Sequence, residues 1–235
     1  FGNPVVGVDE TFYLLVGDRM LQGALPFVDL WDRKPVGLFL IYAAIRLLGG
    51  EGVYQYQVVA TLFAAATAGM ISVVAASFAT RAGAVSAGLV YLAFLGAFEG
   101  VGGQAPVFYN LFVVLAAWLT LRAGRCSPAR RLALGCGAML LAGIAIQMKY
   151  TAVFEGIFFG CALLWQGWRA GTHPVTLMAQ GVSWIACGLL PTAAALAFYV
   201  LRGQGEAFLY ANFLSVFERS TFGEGSALGR LGPII

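Results

Sequence analysis

The chain has 235 residues, of which 60% are hydrophobic and only 11% are charged. Soluble domains carry about a quarter charged residues, so this composition excludes an ordinary soluble enzyme and predicts that lipid surrounds most of the chain. The net charge of +3 gives no indication of nucleic-acid binding, and we expect no nucleic-acid partner.

The first 52 residues differ from the rest, because charged residues and prolines interrupt the apolar ones. Residues 9–22 are typical of a short helix, with Asp9 as its N-cap and Gly23 as its end. Pro35 fits the first turn of a second helix over residues 35–48. We expect this segment to be a loop with its own structure, with both helices lying along the membrane interface.

Six apolar runs follow, and most of them approach the 17 to 25 residues or so that cross a bilayer as a helix. They cover residues 54–78, 84–98, 106–121, 132–148, 152–168 and 175–201. The sequence therefore predicts an all-α fold, a polytopic transmembrane helical bundle over residues 53–201. Residues 202–235 are interpreted as a segment leading to a further span. We also expect at least one helix before residue 1, which would deliver the first loop across the membrane.

If these spans alternate, every acidic residue falls on one side of the membrane. The other side has six arginines in and beside short loops: Arg81, Arg122, Arg125, Arg130, Arg131 and Arg169. An excess of arginine in short loops marks the cytoplasm, so the first loop is predicted to face outside. The four cysteines have no spacing typical of zinc ligands or outer disulfides, and are interpreted as apolar packing residues.

Three ionisable residues near the outer membrane face are candidates for chemistry. Asp9 would accept a proton as a general base, and its alternative role is the helix N-cap. Lys34 would bind a phosphate, or would reach to lipid headgroups instead. Lys149 lies at the end of a predicted span, where an ionisable group is a functional candidate. Its alternative role is an ion pair with Glu155.

Three stretches of the first loop resemble the first outer loop of the GT-C glycosyltransferases. They are VDETFY at residues 8–13, RMLQGALPFVD at 19–29 and WDRKPVG at 31–37. The resemblance is to the branch of the aminoarabinose transferases and protein O-mannosyltransferases (glycosyltransferase family 39). QMKYT at residues 147–151 is similar to the family's lysine at an outer helix mouth.

This resemblance implies a GT-C type fold in a bacterial-type inner membrane, with the active loop facing the periplasm. It implies transfer of a hexose or pentose from a polyprenyl-phosphate donor to a glycolipid, protein or polymer acceptor. Asp9 would be the catalytic base, and Lys34 and Lys149 would bind the donor phosphate. Glu10 and Asp32 are further expected substrate-binding residues. No cofactor is expected, although carboxylates at Asp9 and Asp32 leave a divalent metal open.

The chain departs from the family pattern at two places. Arg33 occupies the position where some relatives have an acidic residue directly before the lysine-proline pair. Pro106 stands where a further carboxylate is expected, and Glu99, Gln104 or Asn110 would have to replace it. The alternative functions are a transporter or flippase of lipid-linked sugars and a non-catalytic membrane assembly protein. Charge crowded into one outer loop, with no repeated halves, favours the transferase over the transporter.

Overall fold

A computed structural model describes residues 1–2, 7–97 and 102–215 of the chain. Within these ranges the chain forms helices and no β-strand, which confirms the predicted all-α class. The helices are α1 (Val8–Leu21), α2 (Val36–Arg46), α3 (Val53–Ala75), α4 (Arg81–Ala97), α5 (Ala105–Ala123), α6 (Pro128–Ile146), α7 (Ala152–Arg169), α8 (Pro174–Leu201) and α9 (Gly205–Leu209), followed by a π-helical turn over Tyr210–Leu214.

Four of these helices are long and apolar enough to cross a membrane: α3, α5, α6 and α8. At most a third of the residues in their apolar stretches are buried inside the protein, so most of this apolar surface faces outward. Such exposure is costly in water and suits a lipid solvent. The six predicted runs all form helices, but α4 has only 17 residues and α7 carries Glu155 and Arg169. Their crossing of the membrane stays a prediction.

Short turns connect α3 to α4, α5 to α6, α6 to α7 and α7 to α8, and successive ends of helices α3 to α8 alternate between the two ends of the bundle. We call one end the loop end; it holds residues 1–2, 7–52, 102–104, 147–151 and 202–215. The other is the arginine end, with turns at residues 76–80, 124–127 and 170–173. Hydrogen bonds connect neighbouring parts at each end. Tyr42 Oη donates to the Gly103 carbonyl at 2.9 Å at the loop end, and Gln166 Nε2 donates to the Thr120 carbonyl at 3.1 Å at the arginine end.

The helix boundaries in the first loop differ slightly from those predicted. Helix α1 begins at Val8 with Gly7 as its N-cap, so the prediction that Asp9 is the N-cap was wrong. The Asp9 side chain is instead directed at a partner outside its own helix. Gly23 does end the helix, as predicted, because its φ of +97° is a conformation that glycine adopts without steric cost. Pro35 is the N-cap of α2 rather than its first residue.

Helices α1 and α2 run parallel to each other, and residues 22–35 return the chain between them. Two ion pairs fix this register, Asp9 with Lys34 and Asp18 with Arg46. The helices approach closely at Gly17, where a side-chain Cβ would lie only 2.7 Å from a backbone atom of α2. The side chains that start both helices therefore meet at one place.

The largest buried cluster lies at the loop end, where the first loop packs on the ends of α3, α5 and α8. Its fully buried members include Tyr13, Leu38, Phe39, Tyr42 and Phe108. Helix α2 buries six of its eleven residues, so it is an integral part of the fold. This packing gives the candidate residues a fixed position relative to the bundle, whereas the predicted interfacial position of the two helices is not tested by it.

Candidate functional site

Asp9 and Lys34 form an ion pair at the start of α1 and α2. Lys34 Nζ lies 2.8 Å from Asp9 Oδ2, and it also donates a hydrogen bond to Tyr13 Oη. Nζ is 4.4 Å from the centre of the Tyr13 ring, which favours the cation. The two charged side chains are 32% and 50% exposed, for Lys34 and Asp9 respectively, so a ligand can reach both.

Asp32 holds the backbone that leads into α2. Its Oδ1 accepts the backbone N–H of Arg33 and that of Lys34, the latter at 3.2 Å, as in an Asx turn. Burial raises the pKa of the Asp32 carboxyl; the two N–H donors oppose this, and the negative charge of Asp9 adds to it. Asp32 therefore positions Lys34 through the main chain.

Glu10 points away from this exposed pair, although it is the next residue in sequence. Its side chain is only 5% exposed, and its Oε1 accepts a hydrogen bond from Gln104 Nε2 at 3.0 Å. Its Oε2 is buried and has no hydrogen-bond partner among the residues that the structure describes. A side chain at Gly102 would come within 3.0 Å of the carboxylate. Glu10 thus joins α1 to the turn before α5, and its predicted role in substrate binding stays a prediction.

The start of α2 packs directly on the end of α6. A Cβ at Gly37 would lie 2.6 Å from the Gln147 carbonyl oxygen, which also accepts the Leu38 N–H at 3.2 Å. The Gln147 side chain in turn donates to Thr192 Oγ1 of α8 at 2.7 Å. This junction brings the segment with Lys34 and the segment with Lys149 to the same part of the loop end, although they are far apart in sequence.

Lys149 is exposed in the turn between α6 and α7. The proposed alternative, an ion pair with Glu155, does not form. Its neighbour Tyr150 donates a hydrogen bond from Oη to Asn212 Oδ1 at 2.5 Å. Burial raises the pKa of the Tyr150 hydroxyl, and the negative charge of Asp32 raises it further, which indicates that Tyr150 and Asp32 are near each other. The structure shows no contact of Lys149 with Asp9 or Lys34.

Sequence reasoning missed three polar side chains of this region. Tyr13 carried a signal, since it lies four residues after Asp9 and therefore on the same helix face. Tyr150 stands beside the candidate Lys149. Asn212 carried no usable signal, because its partner is 62 residues away.

The expected replacements for a missing carboxylate have different positions. Gln104 contacts Glu10, whereas Asn110 Nδ2 donates to Tyr91 Oη at 3.3 Å. Glu99 lies outside the described residues. So do residues 216–235, which form the larger part of the predicted segment over residues 202–235.

A groove of about 610 Å³ lies between α2, α6 and α8, beside the start of α2. Its walls are largely apolar, and they include Leu25, Leu40, Ile144 and Phe198. Arg202 also lines it. The groove therefore combines a surface for hydrocarbon with a cation, next to the segment that carries Lys34.

Within the described ranges, no group of three or more histidine, cysteine, aspartate or glutamate side chains is arranged to hold a metal ion. Comparison with known proteins gives no match to a family model, to a curated protein or to a solved structure. The chemistry of the site has to be inferred from its own geometry: an accessible carboxylate and ammonium 2.8 Å apart, beside an apolar groove.

Proposed function

We propose that this chain is part of a membrane glycosyltransferase of GT-C type, which transfers a sugar from a polyprenyl-phosphate donor to an acceptor hydroxyl. The accessible pair of Asp9 and Lys34 is the observation that carries the proposal. It combines the two groups that such a transfer needs, a base for the acceptor and a cation for the departing phosphate.

The ion pair between Asp9 and Lys34 is weak enough for the phosphate of a donor to separate the two side chains. Exposed ion pairs contribute about 0 to 1 kcal/mol, because water screens them and both side chains lose freedom. A phosphate carries more negative charge than a carboxylate and offers more acceptor oxygens. It can therefore replace Asp9 as the partner of Lys34, and the carboxylate is then free to act as a base.

The proposed step is a single displacement. The acceptor oxygen forms a bond to the anomeric carbon while the bond from that carbon to the phosphate oxygen breaks, and the acceptor proton passes to Asp9. Lys34 stabilises the negative charge that the phosphate leaves with, and Lys149 supplies a second cation. Attack from the face opposite the leaving group inverts the anomeric configuration.

The groove supports a lipid-linked donor rather than a soluble one. Its apolar walls suit an isoprenoid chain, and it lies beside the start of α2 that follows Lys34. In this proposal Asp32 positions Lys34. Glu10 contributes to substrate binding by holding the turn at Gln104 in place.

The proposed orientation has the loop end outside and the arginine end in the cytoplasm of a bacterial-type inner membrane. The turns of the arginine end and their flanking helix ends contain arginine and no acidic residue, which is the distribution typical of a cytoplasmic face.

The second ion pair on the same two helices supplies a matched control. Asp18 and Arg46 pair at 3.2 Å, with side chains 43% and 18% exposed, but they lie toward the other end of α1 and α2. Sugar release from a polyprenyl-phosphate hexose or pentose is measured in reconstituted protein. Asp9→Asn and Lys34→Met should each lose at least about a hundredfold in rate, as expected for an acid-base or charge-stabilising group.

The control variants Asp18→Asn and Arg46→Met should stay within about threefold of wild type in rate, because the pair is weak and lies outside the proposed site, although Arg46→Met also removes a hydrogen bond to the Gly50 carbonyl. A double variant with Asp9 and Lys34 exchanged restores an ion pair but should stay inactive. Full activity in the exchanged variant would refute the roles of Asp9 as a base and of Lys34 as a phosphate partner. The ion pair would then have only a structural role. Movement of the donor across the bilayer without sugar release would favour the flippase alternative.

A further inference from the structure

A second pocket, of about 380 Å³, lies at the arginine end between the last turns of α3 and α5 and the start of α6. Arg122, Arg125 and Arg130 line it. None of the three forms an ion pair with any residue that the structure describes. The pocket is remote from the loop end and has no part in the proposed transfer.

The positive charge of this pocket has no counterpart in the surrounding sequence. Residues 52–98 and 100–154 contain no aspartate or glutamate, and these segments include all of α3, α4, α5 and α6. Three guanidinium groups around one cavity repel each other, and an anion bound among them would relieve this repulsion. Guanidinium groups also match the oxygens of a phosphate in geometry.

The position of the pocket at the ends of three apolar helices indicates the source of such an anion. Its three helices, α3, α5 and α6, are all among the four that are able to cross a membrane, so their ends mark a bilayer surface. The remaining walls include apolar side chains, and Phe78 and Leu121 are 71% and 43% exposed. A ligand with both a phosphate and hydrocarbon chains fits this combination better than free phosphate does.

Trp118 also lines the pocket, together with the arginines and the apolar side chains. The Arg122 guanidinium lies over its ring, 4.9 Å from the ring centre, so the cation is held at the pocket by an aromatic partner rather than by an acidic one. Tryptophan is enriched at the depth of lipid headgroups.

We propose that this pocket binds the headgroup of an anionic phospholipid, with the phosphate among Arg122, Arg125 and Arg130 and an acyl chain against Phe78 and Leu121. Basic pockets between transmembrane helices on the cytoplasmic side are known sites for such headgroups. The proposal does not depend on the glycosyltransferase function. It differs from diffuse attraction to a basic surface because it assigns binding to particular arginines.

The test uses phosphatidylglycerol with brominated acyl chains, which quenches nearby tryptophan fluorescence. Purified protein in neutral detergent should show saturable quenching, and Trp118→Phe should remove that component. The double variant Arg122→Gln/Arg125→Gln should weaken binding roughly 30-fold, about fivefold for each arginine near a membrane surface. The control Arg81→Gln/Arg169→Gln removes the same charge at the same end but outside the pocket, and should change binding less than about threefold, because water and salt screen charges that do not contact the phosphate.

Three results would overturn the proposal. Equal loss in both double variants would show diffuse electrostatic attraction. Equal quenching by brominated phosphatidylcholine would show that net lipid charge is not recognised. Competition by water-soluble glycerol phosphate, at concentrations similar to those of the lipid, would show a site for free phosphate.

Discussion

The contact between Gly37 and Gln147 holds the first loop on the bundle, and the substitution Gly37→Ala tests it. A Cβ at residue 37 would lie 2.6 Å from the Gln147 carbonyl oxygen and 2.7 Å from the Gln147 Cβ. The nearest atom belongs to the backbone, so a rotamer change cannot relieve the clash. Helix α2 would have to move away from the end of α6.

The expected change in the free energy of unfolding combines two destabilising effects and one stabilising effect. Overpacking of this kind costs about 1–3 kcal/mol. Movement of α2 also breaks the hydrogen bond from the Leu38 N–H to Gln147, which contributes about 1 kcal/mol. Alanine is a better helix former than glycine by at most about 1 kcal/mol, and less in a first turn. The net expectation is a loss of roughly 2 kcal/mol in the free energy of unfolding.

The free energy of unfolding is measured by denaturant titration in mixed micelles, together with sugar release. Gly69→Ala in α3 is the matched control, since nothing lies within 4 Å of its Cβ position. The control should be as stable as wild type or slightly more stable. If Gly37→Ala were as stable as Gly69→Ala and equally active, the close approach of α2 to α6 would be refuted.

Two further predictions concern single side chains. Because burial raises the pKa of Asp32 above its ordinary 3.8, its stabilising contribution is complete at pH below that value and is lost as pH rises through the folded-state pKa. Asp32→Asn keeps an acceptor for the turn, so its stability should rise relative to wild type over that pH range; parallel unfolding curves at each pH would contradict this. Cys136 on α6 and Cys187 on α8 are neighbours across the packing of these two helices, so mild oxidation should link them. Mass spectrometry should find this link and none to the exposed Cys161, and its absence would contradict the packing of α6 on α8.

The sequence predicts the helices of this protein well because they depend on local preferences and on solvent. Apolar runs long enough for a bilayer identify α3 to α8 to within a few residues. The end of α1 at Gly23 follows from the backbone freedom of glycine. The N-cap of α1 was predicted two residues too late, since Asp9 fits a cap chemically but is held by Lys34 instead.

The candidate site is only partly contained in the sequence. Asp9, Lys34 and Lys149 stand out because charge is rare in the chain, and their type alone suggests a base and two phosphate contacts. Which of them meet depends on the parallel packing of α1 on α2 and on the close approach at Gly37. The burial of Glu10 could not be foreseen, because it depends on Gln104, which is 94 residues away.

The sequence by itself thus determined the all-helical class, the approximate positions of the helices, and the absence of acidic residues from the turns of the arginine end. These properties follow from the hydrophobicity and conformational preference of each segment. The tertiary structure alone decided that Lys34 meets Asp9 while Glu10 turns inward, and that Tyr150 meets Asn212. Such pairings depend on which helix faces can approach closely, a property of the packed chain that no single segment carries.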